Sequence, residues 1–157
     1  MSWDVSPGKH FTDEVKIRIM QDPIEVVTAF LATWDSPEGW ERGVTTFFAD
    51  DAVYENIGMS KSVGLEAILD FVRHYSTMTG GGWIVVRTHA IASFGNTVLT
   101  ERVDDMVDGR GDVLITTPVM GAFDLRDGKI IAWRDYFDTS AINPPYDGPG
   151  ALIRLPS

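Results

Sequence analysis

The chain of 157 residues has no cysteine and only three histidines. The first absence excludes disulfides, thiolate zinc centres and a cysteine nucleophile. The second leaves His10, His74 and His89 scattered, without metal-ligand spacing. There is no G-x-S-x-G elbow, which disfavours a serine hydrolase. Basic side chains are few: 13 stand against 23 acidic ones, a formal net charge of −10. Such a balance argues against nucleic acid or anionic membrane as a partner held by bulk charge. No apolar run approaches the ~20 residues of a spanning helix. The polar stretch from Met1 to Lys16 lacks the apolar segment of a signal peptide. The expectation is a cytoplasmic protein, and the missing cysteines agree with a reducing compartment.

Hydrophobic residues make up 44% and charged residues 23%, as in globular chains. The length suits one domain over 1–157, with an N-terminal arm at 1–21 and a C-terminal tail at 143–157. In the arm Val15, Ile17 and Ile19 alternate, which fits either a short docking strand or a disordered tail. Asp22-Pro23 reads as an N-cap with proline at the first helical position, followed by Ile24, Val27, Phe30, Leu31 and Trp34 at helical spacing. Ser36-Pro37 starts a second helix carrying Trp40, Val44, Phe47 and Phe48, closed by Asp50-Asp51. Ala52 to Asn56 reads as a short strand, and Gly64 to Met78 as a third helix stopped by Gly80-Gly81-Gly82. These glycines precede a strand rather than a helix N-terminus, so they read as a turn and not a phosphate cradle. Strands are expected at 83–94, 97–107, 112–126 and 129–138, with Asp127-Gly128 a two-residue hairpin signal. Helices followed by strands joined through tight turns predict an α+β fold with a mostly antiparallel sheet.

The candidate residues for chemistry lie on three of these strands. Alternation puts Val98, Thr100, Arg102, Asp104 and Met106 on one face of the 97–107 strand, and Leu99, Glu101, Val103, Asp105 and Val107 on the other. On the last strand Asp135 shares a face with Ile131, Trp133 and Phe137. A carboxylate buried among such neighbours needs a cation, and Arg102 is the candidate. The expected cluster is Asp104–Arg102–Asp135, with the planar guanidinium bridging both carboxylates. Two readings fit it: an ion-pair network that orders the sheet, or one general acid beside one general base. Tyr54 and Asn56 share a face of the short strand. They read either as ordinary strand and turn residues or as a pair that holds a water. The stretch Asp108-Gly-Arg-Gly-Asp112 lacks the ligands of a calcium loop and reads as a hairpin turn.

Taken together, Glu101-Arg102-Val103-Asp104, Trp133-Arg134-Asp135-Tyr136-Phe137-Asp138 and Tyr54-x-Asn56 resemble the limonene-1,2-epoxide hydrolase family. Gly121-x-Phe123, with Gly128-Lys129-Ile130, adds to the likeness, which runs from about Ile24 to Phe137. Val63-Gly64 and the Gly80 to Gly82 turn depart from the pattern, at the expected pocket rim. The resemblance implies a cone-shaped, highly curved sheet wrapped by N-terminal helices, as in the nuclear transport factor two-like fold, and a homodimer. It implies Asp135 as the base, Tyr54 and Asn56 as holders of the attacking water, Asp104 as the acid and Arg102 as the bridge. The implied reaction adds water to a hydrophobic epoxide, of terpene, alicyclic or similar kind, in one step to give a vicinal diol, with no metal or other cofactor. Met106, Trp133 and Phe137 share faces with these residues and are the expected substrate-binding wall. Two other readings remain on the same fold: a non-catalytic binding or dimerisation module, and a ketosteroid-isomerase-like or polyketide-cyclase-like enzyme. Fold alone does not separate them.

Overall fold

A computed structural model describes residues 22–142 and 145–152. The expected arm and the last five residues lie outside that range. Helix α1 spans Pro23–Leu31, α2 Pro37–Phe47 and α3 Leu65–Met78. The strands are β1 (Phe48–Asn56), β2 (Ser60–Val63), β3 (Trp83–Phe94), β4 (Thr97–Val107), β5 (Val113–Arg126) and β6 (Lys129–Tyr136). They form one sheet in the order β2-β1-β6-β5-β4-β3, antiparallel except for β1 beside β6. The expected α+β architecture is therefore the one found, with β2 and β3 as its edges. No described helix is long and apolar enough to cross a membrane.

Both helix starts behave as their sequences predict. Asp22 Oδ1 accepts from the Ile24 amide at 2.9 Å and Ser36 Oγ from the Gly39 amide at 3.0 Å, with proline next in each case. The second helix ends earlier than expected. Phe48 adopts φ −91° and ψ 149° and pairs with Ile130, so it opens β1 instead of extending α2 to Asp50-Asp51. The four-residue β2 has no signal in the sequence, because Ser60-Lys61-Ser62-Val63 carries little apolar alternation.

The helices cover the face of the sheet that holds Ala52, Tyr54, Val98, Phe123 and Trp133, all buried. Phe30 of α1 is the hub of this core. It packs edge-on against Trp34, Phe48 and Trp133 at ring distances of 5.4, 5.1 and 5.4 Å. A register shift between Asp124 and Leu125 changes which isoleucine of β6 points inward: Ile130 is fully buried, and Ile131 only partly. Part of the tail, within residues 145–152, pairs with the sheet edge. Lys61 and Leu152 amides donate to the Gly150 and Met59 carbonyls, each at 2.8 Å, and Ala151 bridges to Ser60 along the β2 edge.

Candidate active site

One transverse row crosses all six strands: Ser60, Asn56, Asp135, Gly121, Thr100 and Ile91 are successive Cα partners from β2 to β3. Next to it Arg102 pairs with Val119, and Asp104 with Thr117. Period-two alternation turns all of these residues toward the helices. β4 lies inside the sheet between β5 and β3, so Arg102 and Asp104 do not sit on an edge strand.

Arg102 is held between the two aspartates. Its Nη2 donates to Asp135 Oδ2 at 2.6 Å, and its Nε to Asp104 Oδ1 and Oδ2 at 3.0 and 3.1 Å. Nη1 donates to Thr100 Oγ1 at 3.2 Å. The guanidinium lies over Gly121. A Cβ there would collide with Nη1 and come within 2.6 Å of Thr100 Oγ1. The side chains of Arg102, Asp104 and Asp135 are 0%, 9% and 5% exposed. Trp133 Nε1 donates to Asp135 Oδ1 at 2.7 Å.

Burial dominates the electrostatics. It would lower the Arg102 pKa, but the two carboxylates outweigh it and keep the guanidinium charged. Burial pushes Asp104 up to about 6, with Arg102 opposing and Asp135 adding repulsion. Burial also raises Asp135, opposed by Arg102 and by the Trp133 indole. The donors are unequally shared: Asp135 has the shortest arginine contact and the indole, while Asp104 has only Nε. Hydrogen bonding therefore favours the ionised form of Asp135 more than that of Asp104.

Tyr54 OH donates to Asn56 Oδ1 at 2.9 Å, and Asn56 Nδ2 donates to Ser60 Oγ at 3.1 Å. Burial, then the nearby Asp135 charge, holds the phenol well above its ordinary pKa, so it stays neutral. The Tyr54 ring stacks on Trp133 at 3.9 Å and meets Phe71 edge-on at 5.2 Å. One amide hydrogen of Asn56 and the lone pairs of the phenol remain for a small polar guest.

Tyr54, Asn56, Asp104 and Asp135 line one cavity. The rest of its wall is largely apolar, with Trp34, Trp40, Phe71, Ile84 and Val119 among its residues. Of the three expected wall residues, Met106 and Phe137 line it. Trp133 does not: it is fully buried behind Tyr54, and its indole serves Asp135 instead. Ser60, Thr100 and Gly121 join the site without having been expected there. Thr100 is legible as the i−2 neighbour of Arg102, but Ser60 and Gly121 depend on cross-strand register. Asp105 faces away, paired with Arg87 and accepting from Thr116 at 2.7 Å. Among the described residues no group of three or more His, Cys, Asp or Glu is placed to hold a metal ion.

A mixed six-stranded sheet under helices, with a buried Asp–Arg–Asp cluster on its inner face, is a nuclear transport factor two-like α+β scaffold. An NTF2-like protein from Cytophaga hutchinsonii superposes on it with a TM-score of 0.60 over 76% of this chain and 93% of that one. Its 15% identity makes this a likeness of fold alone. Residues 21–144 match the limonene-1,2-epoxide hydrolase catalytic domain, and the chain belongs to that family. Epoxide hydrolase EphG of Mycobacterium tuberculosis strain H37Rv is 38% identical over 95 residues, which span 60% of this chain and 60% of that relative's length. The structure of an LEH-like epoxide hydrolase from M. tuberculosis superposes with a TM-score of 0.62 at 33% identity, over 75% of this chain and 84% of that chain.

Proposed function

We propose that the chain hydrolyses a hydrophobic epoxide to a vicinal diol in one step, without a covalent enzyme intermediate. The observation that carries this reading is the Arg102 guanidinium clamped between Asp104 and Asp135 on the wall of an otherwise apolar cavity. Asp135 takes a proton from a water held by Tyr54 and Asn56. The water oxygen attacks one epoxide carbon, and the carbon–oxygen bond breaks. The electron pair goes to the leaving oxygen, which takes the proton of Asp104. Asp135 ends protonated and Asp104 ionised, and proton exchange with solvent restores the pair. Arg102 keeps a positive charge beside both carboxylates through the cycle. Ring strain supplies driving force and Asp104 the leaving-group proton, so the step calls for no metal or cofactor. Met106 and Phe137 belong to the wall that takes the hydrocarbon part, which favours a terpene, alicyclic or similar epoxide. The outer sheet face exposes Leu99, Leu114, Met120 and Tyr136, which supports a homodimer of the family's kind.

The test is single-turnover hydrolysis of limonene oxide or cyclohexene oxide in ¹⁸O-water with enzyme in excess. Label in the first-turnover diol and none in the protein is the expected result. Unlabelled diol would assign the attack to an enzyme oxygen and overturn the roles of Asp135, Tyr54 and Asn56. Asp135→Asn and Asp104→Asn should each lose at least about 10²-fold in turnover while remaining folded.

A further inference from the structure

Ser60 opens β2 and is only 2% exposed. A hydroxyl in such a place needs a partner, and its Oγ accepts from Asn56 Nδ2 at 3.1 Å. The backbone around this contact is tied on both sides. Asn56 and Ser60 are Cα partners across β1 and β2, and in the turn between them the Met59 amide donates to the Asn56 carbonyl at 2.9 Å. The Ile57 amide donates to the Asp135 carbonyl, also at 2.9 Å, which fastens the same turn to β6. On its outer side Ser60 bridges to Ala151, between the Lys61–Gly150 and Leu152–Met59 hydrogen bonds. Gly150 comes so close that a Cβ on it would lie 2.5 Å from the Lys61 carbonyl oxygen. Ser60 itself is not among the residues that line the cavity.

We propose that Ser60 is a positioning residue that aims the Asn56 amide at the attacking water. This deepens the hydrolase reading and rests on it for the water. A primary amide is planar, so one plane sets the directions of its oxygen and both its N–H bonds. Tyr54 OH fixes that plane at Oδ1, and Ser60 Oγ fixes it at one N–H. The second N–H is then left with a single direction in which to meet a lone pair of the water. With alanine at position 60, one amide hydrogen is buried without an acceptor and the amide is held from one end only. Loosening a group that orients a reactant slows the reacting step. The pairing of Gly150 to Leu152 belongs to the same device, since it holds the backbone of Ser60 from the side away from Asn56.

The test joins kinetics to the side-chain amide signal of Asn56 in the ¹⁵N-labelled chain, which Asn56→Ala identifies by removing it. In the wild type one Asn56 amide hydrogen should exchange with water more slowly than those of exposed Asn96. In Ser60→Ala that hydrogen should move upfield. The kcat for limonene oxide or cyclohexene oxide should fall about tenfold, with KM held within about twofold. Ser60→Cys keeps the size but offers a weaker acceptor, so it should fall between the two. It carries the test if Ser60→Ala fails to fold, and the wild-type exchange rate stands on its own if both fail. Rapid exchange in the wild type, an unmoved Asn56 signal in a folded variant, or a loss that falls on KM instead of kcat would overturn the inference. Diol formed by Ser60→Ala at the wild-type rate would sink this inference alone. A slow and shifted Asn56 hydrogen with no diol from any epoxide would instead sink the hydrolase reading.

Discussion

A methyl group on Gly121 would overlap the Nη1 nitrogen of Arg102. The guanidinium that joins the two aspartates lies directly on the backbone of the neighbouring strand, in space that only glycine leaves free. Gly121→Ala should therefore cost about 1–3 kcal/mol in unfolding free energy, as overpacking of a dense interior does. The displaced guanidinium should also lower turnover by about tenfold or more. Urea unfolding and steady-state rates check both. An alanine variant with wild-type stability and rate would show that the arginine does not depend on this contact.

The raised Asp104 pKa has a sign that can be measured. Its folded value of about 6 lies above the ordinary 3.8, and burial is the main cause. The folded state therefore binds the proton more tightly than the unfolded chain. The stability this contributes is complete below the unfolded pKa and is lost as pH rises through about 6. The wild type should lose on the order of 3 kcal/mol more than Asp104→Asn between those limits. Since the proposed acid must carry its proton, kcat/KM should fall as pH rises through the same region. Parallel stability curves for the two proteins would remove the buried proton from Asp104.

Trp133→Phe separates the expected role of this residue from the observed one. Phenylalanine keeps a ring beside Tyr54 but loses the N–H that favours the Asp135 carboxylate. The Asp135 pKa should rise further, and the acid limb of the pH–rate profile should move to higher pH. On that limb kcat/KM should drop about tenfold, the size of a hydrogen bond to a charged group. A change in KM with an unmoved pH profile would return Trp133 to the role of substrate wall.

Much of the site is legible in the sequence because it depends on local periodicity. Arg102 and Asp104 are two apart on one strand, as are Tyr54 and Asn56, and Trp133 and Asp135, so alternation alone puts each pair on one face. A carboxylate amid apolar residues then demands a cation. What is not legible depends on how strands meet. Ser60 reaches Asn56 only because β2 pairs with β1, and its polar sequence gives no strand signal. Gly121 matters only through its place between Asp135 and Thr100. Phe48 leaves helix α2 because β6 offers it a partner, a choice that no residue near Phe48 announces. The bulge between Asp124 and Leu125 exchanges Ile131 for Ile130 in the core. Alternation puts Trp133 on the right face, yet the indole sits in the layer behind Tyr54 rather than on the cavity wall. Face alone does not tell depth.

The full burial of Arg102 also bears on the order in which the chain becomes itself during synthesis. Its two carboxylate partners lie 2 and 33 residues further along the chain. A nascent chain that ends before residue 135 has only Asp104 to neutralise the guanidinium, and sinking an incompletely paired charge into the interior is strongly unfavourable. All three helices are made before β3, and they have no finished sheet to cover until β6 arrives between β1 and β5. The closing strand thus brings the central surface of the sheet and the missing counter-charge at once. A truncated or stalled chain is left with an open interior, which makes it prey for chaperones and proteases.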